Sequence, residues 1–592
     1  MYMLREVLEP LLEQVLISIG VANEHWKNML VRSREHDQGD LSLPCFPFAK
    51  ELGKSPVDIA QQIADSLASH QAIGEVNAVG GYLNIKANPS WLAQQVMNDA
   101  IRIGDAYGKK PANDTHILIE HTSANPNGPF HVGRARNAIL GDTLVRLHRL
   151  FGNNVRAEYY VDDMGKQVGV LAWALEHLGK AEVEQTLCDR EPINEKWQGK
   201  ADHERVRWYQ AAQAIRQERS DKEEIEKEIG RMVHASEHGD EVVLQAFQDA
   251  YQPVLDGMLL TLKRLGIGFD TFTKESMFVT NGDVAELMEK FKTFEIHGTA
   301  DNGAEFLDLG ARGLKGKTEF FFRRGDGSSL YATRDIAYHI WKWKQCDLLI
   351  NVLGEDHKLQ AKQVGMTLSE LGEKVPDVLF YSFIKLPEGK MSTRKGNVVY
   401  MDDLLEEAQA QAAAVVGDIH PDYSQEMVEK IAEAAGTSAV RFNIIKVSPD
   451  KGFTFRWEEA LAFEGGSAPF IMYSHARACS IARKCVQAGI DTAAASQSSA
   501  DIPDSMPKGM IELLRTICVH QDVLSKAVTD RRPHLFANQL LQLATSFNAF
   551  YRDCMILQEG ELNVFNFQLS ELARNLMRTS MEGLGIVPVE QM

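Results

Sequence analysis

The chain contains 592 residues, of which 44% are hydrophobic and 24% are charged, and this composition argues against large-scale disorder and suits about three or four domains. Its formal net charge of -19 argues against bulk electrostatic binding of nucleic acid, although an acidic chain can still carry a local basic groove. The seven cysteines are scattered without a C-x-x-C pair, which argues against a disulfide framework or a zinc site and favours a reducing cytosol.

We expect a small α+β domain at residues 1–108. A helix is predicted near Leu4–Ile19, because charged residues interrupt its apolar run as in an amphipathic helix, and not as in a signal peptide. The stretch HDQGDLSLP predicts a loop, a helix follows Ser55 and Pro56, and GGYLNIKAN predicts a strand. No apolar stretch is long enough to span a bilayer, so we expect a soluble cytoplasmic protein without a membrane partner.

The second block alternates short apolar runs with helical patterns. The runs ILIEH, VRAEYYV and DLLINVLG precede a turn-rich loop or a helical pattern, the last of which ends at Gly372. Such alternation predicts a Rossmann-type parallel sheet at residues 109–426, with ligands at the carboxyl ends of its strands. The charged interval Asp189–Glu241 predicts a solvated helical insertion around residues 180–245.

The third block, residues 427–592, predicts an all-helical domain. Leu540, Leu543, Phe547 and Phe550 recur at helical spacing and are expected to form core.

The stretch from Asn125 to Pro129 cannot continue a strand or a helix, so the chain leaves the predicted sheet there. A helical pattern begins around His131, which places His131, Gly133 and Arg134 at a helix N-terminus that attracts phosphate. Gly133 leaves room for a flat base, while the other two side chains can donate hydrogen bonds to phosphate. Alone, the pattern H-x-G-[HR] is weak, and the alternative is a histidine that only begins a helix.

A second cationic stretch, KMSTRKG, follows the strand-like run VLFYSFIKL. Its Lys390, Arg394 and Lys395 suit the negative charge that builds on a departing pyrophosphate. The alternative is a solvated basic turn.

HVGR together with KMSTRKG resembles the two signature motifs of class I aminoacyl-tRNA synthetases. The stretches around them, EYYVDDMGKQ, YATRDIAYH and VLGEDH, resemble the arginyl-tRNA synthetase family in sequence and order. HDQGDLSLPCFPFAKELGKSP resembles its additional N-terminal domain, which contacts the tRNA elbow, and MYSHARACSIARK with MEGLGIVPVEQM resembles its anticodon-binding domain. The tetrad ends in Arg134, and the second motif has Thr393, where the commonest class I forms have His and Lys.

The resemblance implies three groups of site residues. Asp335 would pair with the guanidinium of arginine as a bidentate acceptor, and Tyr331 would form a wall of that pocket. The rest of the arginine site would be Ser123, Ala124, Asn125, Asp163 and Gln167. The ATP site would be His131, Gly133, Gly354, Asp356, His357, Met391 and Ser392.

Alternatives stay open at several of these positions. Asp335 could instead form a structural ion pair with Arg334 or Arg323. Asp163 and Gln167 could serve only as turn and capping residues, and His357 could only begin a helix.

The resemblance implies that the arginine carboxylate attacks the α-phosphorus of ATP, and that the acyl group of the adenylate then passes to tRNA(Arg). Mg²⁺ would accompany ATP without a dedicated protein cage, and arginine activation would need bound tRNA. In the third block Tyr473, His475, Arg477 and Arg483 could stack on splayed anticodon bases, or could be ordinary helix-surface and core residues. We expect a monomer, and two rival hypotheses remain: a small-molecule nucleotidylyltransferase and a non-catalytic tRNA-binding paralogue.

Overall fold

The structure is a computed structural model that describes residues 2–21, 24–33, 38–67, 69–188, 192–385, 399–462, 465–498 and 500–592. No helix in those ranges is long and apolar enough to cross a membrane.

The N-terminal region packs short helices on an antiparallel sheet of order β1-β2-β4-β3. Its helices are α1 (Tyr2–Ser18), α2 (Trp26–Met29), α3 (Ala49–Leu52), α4 (Pro56–Ser66) and α5 (Pro89–Ile103). Its strands are β1 (Val31–Arg32), β2 (Leu41–Pro44), β3 (Ile73–Val79) and β4 (Tyr82–Ala87).

The expectation of a loop throughout HDQGDLSLP is wrong at its C-terminal end. Leu41 and Leu43 are buried in β2 and pair with Ile85 and Leu83 of β4. The burial of these two leucines explains the strand. The sequence pattern did not reveal it, because four residues are too short a run to show a period.

The middle region is built on a five-stranded parallel sheet of order β12-β11-β5-β6-β7, with a separate antiparallel sheet of order β10-β9-β8. Its strands are β5 (His116–Glu120), β6 (Asn154–Val161), β7 (Thr271–Lys274), β8 (His297–Thr299), β9 (Glu305–Asp308), β10 (Glu319–Arg323), β11 (Leu348–Gly354), β12 (Asp377–Tyr381) and β13 (Ile384–Lys385). Its helices are α6 (Val132–Leu150), α7 (Lys166–His177), α8 (Lys180–Thr186), α9 (Ala201–Glu218), α10 (Lys222–Glu237), α11 (Glu241–Arg264), α12 (Ser276–Thr280), α13 (Asp283–Lys292), α14 (Tyr331–Trp343) and α15 (Lys358–Glu370). The strand order reverses between β5 and β11, so the carboxyl ends of these two strands flank the expected ligand crevice.

Two details of this region differ from the sequence prediction. The described part of the charged interval is helical but not simply solvated, because Ile225 and Ile229 of α10 are buried in a cluster with Trp173 of α7. The run VLFYSFIKL is not one strand, since β12 ends at Tyr381 and β13 pairs instead with the later strand Phe453–Thr454.

In its described residues, the C-terminal region is mainly helical and contains three two-residue strands. Its helices are α16 (Met401–Ile419), α17 (Gln425–Ile445), α18 (Trp457–Ala460), α19 (Ala468–Gln487), α20 (Thr492–Gln497), α21 (Lys508–Cys518), α22 (His520–Thr529), α23 (Pro533–Asp553) and α24 (Val564–Leu584). The strands are β14 (Phe453–Thr454), β15 (Leu557–Gln558) and β16 (Glu561–Leu562). The predicted apolar stripe of α23 is fully buried, and the predicted fold class is confirmed.

A buried ion pair joins α6 to the C-terminal helices. The Arg441 guanidinium of α17 donates to Asp142 of α6 at 2.6 Å and to the Leu584 carbonyl at the end of α24. Gly585 has φ 69°, and a Cβ there would collide with this guanidinium. Asp142 also pairs with Arg146 at 2.7 Å, so two guanidinium groups share its carboxylate.

Candidate active site

The loop after β5 has an unusual backbone. Thr122 and Ser123 have φ of 70° and 39°, a left-handed conformation that costs on the order of 1–3 kcal/mol for a non-glycine residue. Hydrogen bonds hold it: the Thr122 N–H donates to Asn137 at 2.6 Å, and the Ser123 hydroxyl accepts from the Tyr160 N–H at 3.1 Å. The same hydroxyl donates to Glu120 at 3.3 Å. The loop is therefore built to a fixed shape at the carboxyl end of the central strand.

Gln167, at the start of α7, orients the next part of this loop. Its side-chain oxygen accepts from the amides of Asn125 and Asn127 at 3.0 and 2.8 Å. Ala124 is buried, and its carbonyl accepts from the Tyr159 hydroxyl at 2.7 Å. Thus Ser123, Ala124, Asn125 and Gln167 lie together beyond the carboxyl end of β5.

Asp163 has a different environment. Both of its carboxylate oxygens accept from Ser276, one from the backbone N–H at 2.9 Å and one from the hydroxyl at 2.6 Å. Burial raises the pKa of Asp163, and the Ser276 hydrogen bonds only partly offset that effect. This geometry corresponds to the capping alternative, here at the start of α12.

His131 is the residue immediately before α6, and the chain from Val399 to Met401 lies directly against it. His131 and Tyr400 form an antiparallel bridge, flanked by hydrogen bonds from the Val132 N–H to the Val399 carbonyl at 3.0 Å and from the Met401 N–H to the Phe130 carbonyl at 2.7 Å. Residues 399–401, which follow the second motif, therefore fix the backbone at the start of α6.

The electrostatics of this helix end favour an anion. Burial, and then the charge of Arg134, lower the pKa of His131 to about 4, so its imidazole is neutral near pH 7. Gly133 is exposed, and a Cβ there would lie 3.0 Å from the His131 ring. The Arg134 guanidinium has no hydrogen-bond partner among the described residues. A neutral ring donor, the Arg134 guanidinium and the positive end of the α6 dipole can together bind phosphate.

Asp335 lies one turn into α14, and Tyr331, the first residue of that helix, is 58% exposed. The partner of Asp335 is His339, with Nδ1 at 3.2 Å. Both suggested structural partners are wrong, because Arg334 pairs with Glu275 at 2.5 Å and Arg323 pairs with Glu305 at 3.4 Å. Burial opposes the charge of Asp335, but His339 and Lys342 outweigh it and lower its pKa, so the carboxylate is ionised at neutral pH.

Sequence reasoning missed two neighbours of Asp335. Glu120, the last residue of β5, pairs with Lys342 at 2.6 Å. The hydroxyl of Tyr160 is buried without a hydrogen-bond partner in the described part of the chain, and its ring stacks on Tyr338 with centroids 4.2 Å apart. Burial and then nearby carboxylates, including Asp335, raise the pKa of Tyr160 well above its usual range. The available signal for Glu120 was its place at a strand end, three residues before Ser123.

The predicted adenosine side lies at the end of β11. A Cβ at Gly354 would displace the exposed Asp356 carboxylate, whereas glycine leaves that carboxylate in place. His357 is exposed, with Nδ1 3.1 Å from Gln360 and Nε2 3.7 Å from Asp356. Its contacts are those of a residue that precedes α15, while its exposed face remains open to a ligand.

The second motif falls outside the described ranges, which omit residues 386–398. The predictions for Lys390, Met391, Ser392, Arg394 and Lys395 all fall in that stretch. Its two described flanks are β13 and Val399, and the latter contacts the helix end at His131.

A basic aromatic groove of about 460 Å³ is lined by α19, by α23, by Tyr423 and by the last two residues, Gln591 and Met592. The Arg477 guanidinium lies over the rings of Tyr473 at 4.9 Å and Tyr551 at 5.2 Å, and Arg483 also lines the groove. His475 does not, because it is 1% exposed and donates to the Val589 carbonyl at 2.9 Å. Tyr423 and Tyr551 line the groove but were missed.

Three family models match the chain in succession. The arginyl tRNA synthetase N-terminal domain matches residues 6–87, the class I (R) tRNA synthetase catalytic domain matches residues 96–457, and the DALR anticodon binding domain matches residues 471–592. The chain belongs to the arginyl-tRNA synthetase family. The domain limits predicted at residues 108 and 426 stay predictions.

Similar proteins support this family assignment over the full length. An arginine--tRNA ligase of Methanocella arvoryzae is 39% identical over 584 residues, covering 98% of each chain. One of Methanocaldococcus jannaschii is 37% identical and covers 93% of each. The solved arginyl-tRNA synthetase of Thermus thermophilus is 26% identical and superposes with a TM-score of 0.77 over 99% of this chain and 100% of its own.

Proposed function

We propose that this chain is an arginine–tRNA ligase, which activates L-arginine with ATP and transfers it to the 3′ end of tRNA(Arg). The observation that carries the choice of amino acid is Asp335, an ionised carboxylate that lies near the crevice where this fold binds ligands. An anionic pocket suits a cationic side chain, and family membership supplies the class of reaction.

Arginine is placed with its guanidinium between Asp335 and Glu120. The two carboxylates provide the planar, multidentate acceptors that a guanidinium needs and a lysine ammonium cannot match. Tyr160 adds a buried hydroxyl that gains a partner when the substrate enters. Ser123 and Asn125, held by the shaped loop, then face the amino-acid end of the substrate.

ATP is placed with its phosphates at the N-terminus of α6. Neutral His131 donates one ring N–H, Arg134 supplies a permanent charge, and Gly133 lets the base approach the backbone. Gly354, Asp356 and His357 lie on the adenosine side. Mg²⁺ would accompany ATP and would supply charge neutralisation at the phosphates.

In the first step an oxygen of the arginine carboxylate forms a bond to the α-phosphorus, and the bond from that phosphorus to the pyrophosphate oxygen breaks. Lys390, Arg394 and Lys395 are assigned to the departing pyrophosphate. In the second step a hydroxyl of the terminal tRNA ribose attacks the acyl carbon, and AMP leaves. The protein contributes position and charge, without a covalent intermediate.

The groove of Tyr473, Arg477, Arg483 and Tyr551 is proposed to bind anticodon bases. Aromatic and guanidinium planes stack on unpaired bases, and the positive charge attracts the backbone. We also propose a monomer in the cytoplasm.

The two rival hypotheses explain less. A small-molecule nucleotidylyltransferase uses a phosphate site at a helix start but has no use for a basic aromatic groove in a helical domain. A non-catalytic paralogue has no need of an ionised Asp335, or of a buried Tyr160 hydroxyl that lacks a hydrogen-bond partner among the described residues.

Arginine-dependent exchange of pyrophosphate into ATP, measured with and without tRNA(Arg), separates the three. A ligase of this family exchanges with arginine and tRNA present. A nucleotidylyltransferase is indifferent to both, and a paralogue binds tRNA without any exchange. Absence of arginine-dependent exchange in the presence of tRNA contradicts the proposal.

A further inference from the structure

A buried polar network joins the helical insertion to the chain that follows the second motif. Lys200, directly before α9, places its ammonium 2.5 Å from Asp402 of α16, 3.1 Å from Asp202 and 2.6 Å from the Thr261 hydroxyl. His203 contacts the same Asp402 oxygen at 2.8 Å. The Asp402 and Asp202 side chains are 2% and 0% exposed, so these charges are compensated by one another and not by water.

The neighbouring packing is shaped for this network. A Cβ at Gly257 of α11 would lie 2.5 Å from Asp202, so only glycine lets α9 approach there. The Trp197 ring stacks on His203 with centroids 5.5 Å apart, and its indole N–H donates to Asp403 at 2.8 Å. The insertion therefore binds the first turn of α16 through hydrogen bonds and ion pairs.

Asp202, His203 and Asp402 are close enough together to hold a metal ion, but the ammonium of Lys200 already lies among these oxygens. Its three N–H donors face three oxygen acceptors, which satisfies it completely. The cluster thus already contains its own cation. We call it the clamp, and it consists of Lys200, Asp202, His203, Thr261 and Asp402.

This clamp lies next to Val399–Met401, the segment that pairs with the backbone around His131. Asp402 follows directly after Val399–Met401, the segment that forms the bridge and both flanking hydrogen bonds with residues 130–132. The Tyr400 ring also packs edge-on against His203, with centroids 5.2 Å apart. The covalent chain and the ring contact both connect the clamp to that bridge.

We propose that Lys200 and Asp402 are positioning residues, which fix residues 399–402 and thereby hold His131 at its place beside the reacting phosphate. This gives the insertion a part in the activation step. The inference rests on the proposed function, because its assay is arginine activation.

The experiment is a double-mutant cycle with the full-length protein. Lys200→Met, His131→Ala and the combined variant are compared with wild type in arginine-dependent exchange with tRNA(Arg). We expect Lys200→Met alone to lower kcat roughly 10- to 100-fold with the KM for ATP within about threefold, as for a misplaced transition-state contact. In the His131→Ala background the same change should cost less than about twofold, because the contact it acts through is already gone.

Two further variants control for folding. Lys196→Met removes the neighbouring exposed pair with Glu406, whose lysine side chain is 62% exposed, and should leave kcat unchanged. Lys200→Arg retains the cation and should recover most of the activity. If Lys200→Met does not fold, Asp402→Asn takes its place in the cycle with the same expected non-additivity.

The outcomes separate the two proposals. An inactive wild type overturns the proposed function. An active wild type with Lys200→Met at full kcat, or with losses that simply add in the His131→Ala background, overturns the positioning role alone.

Discussion

Replacing Asp335 with asparagine removes one negative charge from the arginine pocket and keeps the shape of the side chain. In the structure this carboxylate is 26% exposed and its described partner is His339 at 3.2 Å. Loss of one of the two charged acceptors of a guanidinium in such a site costs about 3 kcal/mol, which corresponds to roughly 10²-fold. Glu120 remains in the variant, so we expect the loss to stay near this value.

The assay is kcat/KM for arginine in pyrophosphate exchange with tRNA(Arg). Asp335→Asn should lower it roughly 10²-fold, and preference for arginine over the neutral isostere citrulline should fall by a similar factor. Glu305→Gln, which removes a carboxylate paired with Arg323 on the separate sheet, is the matched control and should change neither quantity. Wild-type kcat/KM and undiminished rejection of citrulline in Asp335→Asn would refute the pocket assignment.

Arg134→Ala should lower the activation rate roughly 10²-fold while Arg134→His keeps substantial activity, and an unchanged rate in the alanine variant would remove Arg134 from the phosphate site. Lys390→Ala and Lys395→Ala should each slow single-turnover adenylate formation more than they weaken ATP binding, whereas equal losses would indicate ordinary ground-state binding. Arg477→Ala should raise the KM for tRNA roughly 10-fold with the KM for arginine unchanged, and an unaffected tRNA KM would exclude the groove from recognition. Burial lowers the pKa of His520 from 6.5 to about 4. Between these two pH values the unfolded chain binds a proton at this ring and the folded chain does not, so the free energy of unfolding should fall as the pH decreases from 6.5 to about 4. His520→Leu should flatten the slope by up to about 1.4 kcal/mol per pH unit in denaturant unfolding, and an identical slope would show that this ring does not titrate as described.

Local signals were sufficient for the helix that carries the phosphate site. The turn residues from Asn125 to Pro129 separate β5 from the next helix, and the apolar period after His131 defines α6, which the structure places at Val132–Leu150. These features depend on neighbouring residues alone, so a single sequence can reveal them.

The spacing of residues along a helix shows which side chains face one another, and residue type alone did not show this. His339 is four residues after Asp335 on α14 and therefore faces it, whereas the adjacent Arg334 points elsewhere. Likewise Tyr473 and Arg477 lie one turn apart, while His475 is about 200° around the helix from Tyr473 and lies in the core.

The remaining features depend on contacts between distant parts of the chain. Lys200 and Asp402 are 202 residues apart, and nothing near either of them indicates the other. Similarly, β13 is defined by its partner β14, which comes more than 60 residues later. Such pairings follow from tertiary packing, which local patterns do not encode.

Ligase activity is tested most directly by the formation of arginyl-tRNA by the purified full-length protein, with radiolabelled arginine, ATP, Mg²⁺ and tRNA(Arg). We expect label to accumulate on the tRNA as an alkali-labile ester. Omission of ATP should abolish this labelling, and labelled lysine or citrulline should not replace arginine. Failure to charge tRNA(Arg), or equal charging with lysine, would contradict the assignment of this chain as an arginine–tRNA ligase.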